Sequence, residues 1–296
     1  MKQFSSLVVS GLSIGFVYAL IAVGFVTIFK TTRVVNFSHA VIAVLGAFVV
    51  AKTHREFGFG VALILGIGAA VAANVLIEFV VLRRARRPEP ALLAIITLGL
   101  AIAIGAELRR QIGPNVYQVG DPWGKAVFRF GSSAIPQTRI AAAIVAIAVI
   151  ALVYVAIRKT GWGISVRATS EDREAAALMG IRLGRVSASV WALAGALAAI
   201  AGVFFTTFPG AGVSGLTEVV ILGAFPAAII GGLDSPPGAV AGGLLVGLAT
   251  TLAAGYQEHI AFLGRGAAEV IPFALMLIVL LARPSGLFGS NELTRV

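Results

Sequence analysis

The chain has 296 residues, of which 58% are hydrophobic and only 12% charged, with a net charge of +10. Soluble domains carry about 25% charged residues. Half that share, confined between apolar runs near 20 residues long, excludes an ordinary soluble fold and points to an all-α polytopic protein whose solvent is the lipid bilayer. The basic residues sit between the apolar runs, so the charge reads as membrane topology and not as a nucleic-acid surface.

The first span runs from about Leu7 to Phe29. No small-residue cleavage site followed by a soluble domain comes after it, so it reads as a retained helix. Gly11 and Gly15 give it a GxxxG spacing that permits close helix approach. After Lys30 to Arg33 comes Val34-Val-Asn-Phe-Ser-His-Ala40, and then an apolar run to Val50. A third span covers about Val61 to Leu82 and carries Asn74 and Glu78. Arg83-Arg-Ala-Arg-Arg-Pro-Glu-Pro90 is a basic stop, and a fourth span follows to about Glu107. The polar segment 108–138 reads as an ordered surface loop, with Tyr117 and Trp123 as interfacial anchors.

A fifth span runs from about Ile140 to Ile157, and a sixth from about Ser189 to Phe208 with Ala194, Ala198 and Gly202 at four-residue spacing. A glycine-rich approach, 209–218, leads into a seventh span that ends at Gly231-Gly-Leu-Asp-Ser-Pro-Pro-Gly238. An eighth covers about Ala239 to Ala254, and the last about Val270 to Leu281. The total is eight or nine, and the short runs 34–50 and 219–233 read as broken helices. Leu45-Gly-Ala-Phe48 recurs as Leu222-Gly-Ala-Phe225, one copy threading inward to outward and the other the reverse, which predicts an inverted repeat.

Between the fifth and sixth spans lies a stretch that a bilayer would reject, Ser165 to Val190. Thr169 or Ser170 can cap a helix, Thr169 with Asp172 matches a capping box, the acidic residues suit a helix start, and Gly180 supplies a stop. The pattern predicts a short helix at about 169–181, too charged for lipid. Glu174, Ala175, Ala176 and Gly180 belong to it, and Ala175 to Ala177 give it a low-relief docking face. With this stretch inside and nine spans threaded, 14 of the lysines and arginines fall inside and 9 outside. The C-terminus is then inside, and the N-terminus is outside for nine spans or inside for eight.

No Walker A motif is present, and Gly210-Ala-Gly-Val-Ser-Gly215 matches GxGxxG without a βαβ context, so it reads as a loop. The three histidines lack metal-ligand spacing, and neither a metal nor a cofactor is indicated. Polar groups at the helix breaks draw interest because a bilayer penalises them: Asn36, His39 and Glu218. Two readings stay open for the first two. Either Asn36 caps a broken helix and His39 satisfies a backbone carbonyl, or both line a solute path.

Val35-Asn-Phe-Ser-His-Ala40, Glu174-Ala-Ala-Ala-Leu-Met-Gly-Ile181, Ala198-Ala-Ile-Ala-Gly202, Gly231-Gly-Leu-Asp-Ser-Pro-Pro-Gly-Ala239 and Arg283-Pro-Ser-Gly-Leu-Phe-Gly289 carry a resemblance. Together they resemble the branched-chain amino acid ABC transporter permease family, and within it the shorter permease subunit. The permeases for urea and short amides are closely similar. Ala40 stands where the family usually has glycine, and Asp234 where it often does.

The resemblance implies a single transmembrane permease domain over 1–296 in a bacterial inner membrane, with no catalysis of its own. It implies two ATPase subunits, a second permease and a periplasmic substrate-binding protein as partners. The helix at 169–181 would be the coupling helix, the 108–138 loop would be periplasmic, and the solute path would run past Asn36, His39 and Glu218. A secondary carrier is the rival class, and it would not need the capped central helix.

Overall fold

The computed structural model describes residues 2–85, 89–124, 126–130, 133–207, 212–215, 217–259 and 266–289. Arg86 and Arg87 of the basic stop, Gly210 of the glycine-rich loop, Arg265 and Arg295 lie outside the described residues.

The first span is one unbroken helix, α1 (Lys2–Thr32), about 46 Å long at 1.5 Å per residue. It is buried along its middle from Val17 to Ile28, so it is a central helix. The chain then leaves helical geometry over 33–38 and enters α2 (His39–Leu76), which continues as a π-helical turn at Ile77–Leu82. In a straight helix Val50 and Gly66 would stand about 24 Å apart. Here a methyl group on Gly66 would lie 2.5 Å from Val50 Cγ2. The reversal is at Gly58, at φ +76° and ψ 162°, a conformation that needs the missing Cβ. α2 is therefore two antiparallel arms.

α3 (Pro90–Ile112), α4 (Gln137–Lys159), α7 (Leu183–Thr207) and α10 (Pro236–Gly255) are each long and apolar enough to cross a bilayer. Two shorter apolar segments complete the bundle. One is α8 (Thr217–Leu222) with α9 (Ala224–Gly231), broken at Gly223, and the other is α11 (Ala267–Ala282). Counting both arms of α2, the described residues make nine passes. Between α4 and α7 lie α5 (Gly161–Glu171) and α6 (Arg173–Leu178).

The segment expected as a loop at 108–138 is more ordered than the sequence suggests. α3 runs on to Ile112, and β1 (Val127–Phe130) pairs antiparallel with β2 (Ser133–Pro136), joining Val127 to Pro136 and Phe128 to Ile135. Tyr117 and Trp123 are partly buried and each packs on a bundle ring. Tyr117 packs edge-on against Phe48 at 5.5 Å and bridges Val213, and Trp123 stacks on Phe204 at 6.1 Å.

Two glycine seams hold the bundle together. A methyl group at Gly15 of α1 would lie 2.8 Å from Leu244 Cα, and one at Gly243 of α10 would lie 2.7 Å from Ala19 Cα. Likewise a methyl group at Gly46 of α2 would lie 2.6 Å from the Ala199 Cβ of α7, and one at Gly195 would lie 2.7 Å from the Ala70 carbonyl oxygen. Without a strong hydrophobic drive between helices in lipid, such close backbone contact is what brings them together. Asn74 adds a buried 3.1 Å hydrogen bond to the Trp191 carbonyl.

The seams expose the symmetry of the chain. The first half reads long helix α1, break, two arms of α2, then α3. The second reads α7, break, α8–α9, α10, then α11. The C-terminal end of α1 lies beside α6, where Arg173 reaches the Thr31 carbonyl at 2.8 Å. α7 starts at that same end, where Arg83, following the second arm of α2, reaches the Gly184 carbonyl at 2.6 Å. The two halves thus run in opposite senses, as an inverted repeat requires. The tail also returns to this end: Leu287 N–H donates to the Ile230 carbonyl at 2.8 Å, and Pro236 and Pro237 share a cavity with α5.

Candidate translocation path and coupling face

The first break is built from small polar groups. Asn36 Oδ1 accepts from Ser38 N–H at 3.1 Å and from Ser38 Oγ at 2.6 Å, which closes a turn and starts α2. On the other side, Thr97 Oγ1 of α3 donates to the Val35 carbonyl at 3.0 Å and accepts from Phe37 N–H at 3.2 Å. Non-helical backbone at membrane depth survives only where protein or water satisfies it, and Thr97 supplies that partner.

Asn36, Ser38 and His39 have no exposed surface. The His39 ring packs edge-on to Phe25 at 4.7 Å and sits over Gly24, where a methyl group would lie 2.7 Å from Nε2. Among the described residues Asn36 Nδ2 has no hydrogen-bond partner, while the His39 ring interacts with the Ile21 backbone carbonyl outside ideal hydrogen-bond geometry.

The interruption at Gly223, within the α8–α9 segment, meets the first break through aromatic rings. Phe225, two residues past Gly223, lies 5.1 Å from Phe37 and 5.6 Å from Phe25. Phe37 and Phe225 are both partly exposed. Glu218 sits in the first turn of α8 and pairs with Arg109 of α3 at 2.8 Å. Of the three residues singled out from the sequence, Asn36 and His39 therefore share one cluster, while Glu218 belongs to an ion pair with the far end of α3. Glu78 pairs with Arg83 at 3.0 Å and Glu107 with Arg110 at 2.6 Å.

The central polar stretch differs in detail from its expected cap. Thr169 is buried inside α5 and donates to the Ser165 carbonyl at 2.8 Å, so it starts no helix. Asp172 does, because the chain is extended there (φ −148°, ψ 111°) and its Oδ1 accepts from Glu174 N–H at 2.8 Å and Ala175 N–H at 2.9 Å. At the other end Ile181 N–H reaches the Ala176 carbonyl, Gly180 N–H reaches the Ala177 carbonyl, both at 3.0 Å, and Gly180 takes φ +84°. This is a Schellman stop, and it needs glycine.

Ala176 is buried, while Glu174, Ala175 and Ala177 are exposed. The strongest surface signal is one that sequence reading passed over: Leu178 is 89% and Met179 84% exposed, side by side. An apolar pair directly before the glycine stop of a lipid-excluded helix was the clue available.

A bilayer-spanning bundle of two inverted halves, each with a break, presenting a short capped helix at one end, is the build of a membrane transport permease. The family described as "Branched-chain amino acid transport system / permease component" matches residues 7–280, and this chain belongs to it. The chain is 29% identical to the high-affinity branched-chain amino acid transport system permease protein LivH of Escherichia coli K12, over 97% of this chain and 96% of that protein. It is 30% identical to the probable branched-chain amino acid transport permease protein LivH of Methanocaldococcus jannaschii, over 91% of this chain and 88% of the relative. Among solved structures, PsaBC from Streptococcus pneumoniae in complex with Fab is similar with a TM-score of 0.46 and 14% identity, covering 94% of this chain and 89% of that one.

Proposed function

We propose that this chain is the membrane-spanning permease subunit of an ATP-driven importer, and that it forms the path for branched-chain or similarly hydrophobic amino acids. The observation that carries the reading is α6: a helix with a side-chain cap at its start and a glycine stop at its end, offering Leu178 and Met179 to a partner. A secondary carrier has no use for such a knob. In this reading Glu174, Ala175, Ala176 and Gly180 form the ATPase-coupling element, with Leu178 and Met179 as its apolar tip. The α6 end is cytoplasmic, and the C-terminal tail lies on that side.

The partners are two ATPases, a second permease and a periplasmic substrate-binding protein, in a bacterial inner membrane. The chain itself hydrolyses nothing. The solute passes the two breaks near Asn36, His39 and Phe225, and Glu218 belongs to the outer approach. The buried Asn36 Nδ2, which has no hydrogen-bond partner among the described residues, supports a path there, because a buried polar group without a partner is costly unless solute or water visits it.

Affinity purification of the chain from its native membrane tests this reading. Co-purifying ATPases, a second permease and a binding protein are expected, and the ligand held by the binding protein separates leucine-like amino acids from urea or short amides. Replacing Glu174 or Gly180 with bulky residues should uncouple ATP hydrolysis from uptake while insertion stays intact. A chain that purifies alone and transports after reconstitution without ATP overturns the reading in favour of a secondary carrier.

A further inference from the structure

A groove of about 560 Å³ runs along the outside of the bundle between α1, α4, α5 and the start of α10. Its walls are apolar, with Phe16 and Val23 from α1, Ile147 and Ile150 from α4, and Val240 from α10. From Phe16 to Lys30 it spans 14 residues of α1, about 21 Å of rise. That exceeds half of the roughly 30 Å hydrocarbon core, which is the depth of one leaflet.

One end of the groove is cationic. Lys30 sits in the last turn of α1, Arg158 in the last turn of α4, and Arg167 on α5. Two of them are held in place without acids. Arg167 Nη1 donates to the Ile157 carbonyl at 2.9 Å and the Arg158 carbonyl at 3.1 Å, and the Arg158 guanidinium lies over the Tyr154 ring at 4.7 Å. Among the described residues no aspartate or glutamate lines the groove, and no salt bridge engages Lys30, Arg158 or Arg167. The hydroxyls of Thr31 and Ser170 also border this end.

The geometry points to a binding site for one anionic phospholipid of the leaflet on the α6 side. The phosphate is held by Lys30, Arg158 and Arg167, and an acyl chain lies in the apolar trough. The charge selects the head, and the length selects a lipid over a small anion. α5 continues into the Asp172 cap of α6, so an occupied site steadies the base of the exposed knob.

The test is native mass spectrometry of the detergent-extracted protein, offered phosphatidylglycerol or phosphatidylcholine with the same chains. One phosphatidylglycerol should be retained at least ten-fold over phosphatidylcholine. Lys30→Gln should weaken retention about five-fold, the effect of the ~1 kcal/mol that one basic residue near an anionic surface contributes. Ala151→Trp, on the exposed side of α4, should fill the trough and weaken retention with every cation intact. A photoreactive residue in place of Ile150 should label lipid.

Equal retention of the two lipids overturns the proposal, as does retention unchanged by both Lys30→Gln and Ala151→Trp. Full displacement by glycerol phosphate would mean an anion site without a lipid. A label on a polypeptide would mean that a partner helix occupies the groove. Neither result depends on whether the protein is ATP-driven.

Discussion

The guanidinium of Arg173, the first residue of α6, donates a 2.8 Å hydrogen bond to the carbonyl of Thr31 in the last turn of α1. α1 is the central helix, and the break that follows it carries Asn36. In the proposed coupling role, this bond gives α6 a direct link to α1 and the break at 33–38, beside its packing against α5 and α7. Hydrogen bonds to charged groups contribute about 1.5–3 kcal/mol. Arg173→Gln should lower substrate-stimulated ATP hydrolysis several-fold in the reconstituted assembly, with the ATPases still bound. Unchanged stimulation would show that the signal takes another route.

Leu178 and Met179 should act as a docking tip. Burying one such side chain against a partner is worth about 1.5–3 kcal/mol, and nothing in the bundle depends on either, since both are almost wholly exposed. Leu178→Glu with Met179→Glu should abolish co-purification of ATPases and leave the melting temperature of the isolated chain unmoved. Retention of the ATPases by the double variant would move the interface elsewhere.

The glycine seam between α1 and α10 sets a packing prediction. Gly15→Leu puts a branched side chain where the Leu244 backbone already stands, and overpacking of this kind costs about 1–3 kcal/mol or more. Gly60, with no atom within 4 Å of an added methyl group, is the control. Thermal unfolding in detergent should show a clear loss for Gly15→Leu and almost none for Gly60→Leu. Similar behaviour of the two would mean that the seam does not govern stability.

Thr97→Val keeps the shape of the side chain but strips the break of its shared partner, leaving the Val35 carbonyl and the Phe37 N–H unpaired. The expected cost is about 1–3 kcal/mol, and Thr97→Ser should recover most of it. Hydrogen exchange at residues 35–39, faster in the valine variant and restored in the serine variant, is the measurement. No change in exchange would mean that water, and not Thr97, satisfies the break.

Much of the fold was legible because a bilayer imposes a length and a composition on every span. The runs near 7–29, 61–82 and 140–157 appear as helices with ends shifted by a few residues, and Gly11 and Gly15 form the close contact that their spacing promises. The site was less legible. Phe37 and Phe225 meet across 188 positions of sequence, and Arg109 finds Glu218 across 109. No local pattern encodes such meetings. The cap moved from Thr169 to Asp172 because α5 continues through Thr169, whose hydroxyl bonds back to the Ser165 carbonyl, and the chain becomes extended only at Asp172. Leu178 and Met179 escaped notice because apolar residues in a helix are ordinarily read as its inward face.

The inverted pairing of α1 to α3 with α7 to α11 has a consequence for direction. A body made of two upside-down copies presents nearly the same machinery to each face of the membrane. Taken alone it has little means of telling one compartment from the other. Vectorial flow must then come from whatever breaks that equivalence, and the departures from the repeat are the parts available: the crossing helix α4, α5 and α6 at one face, and the hairpin of β1 and β2 at the other.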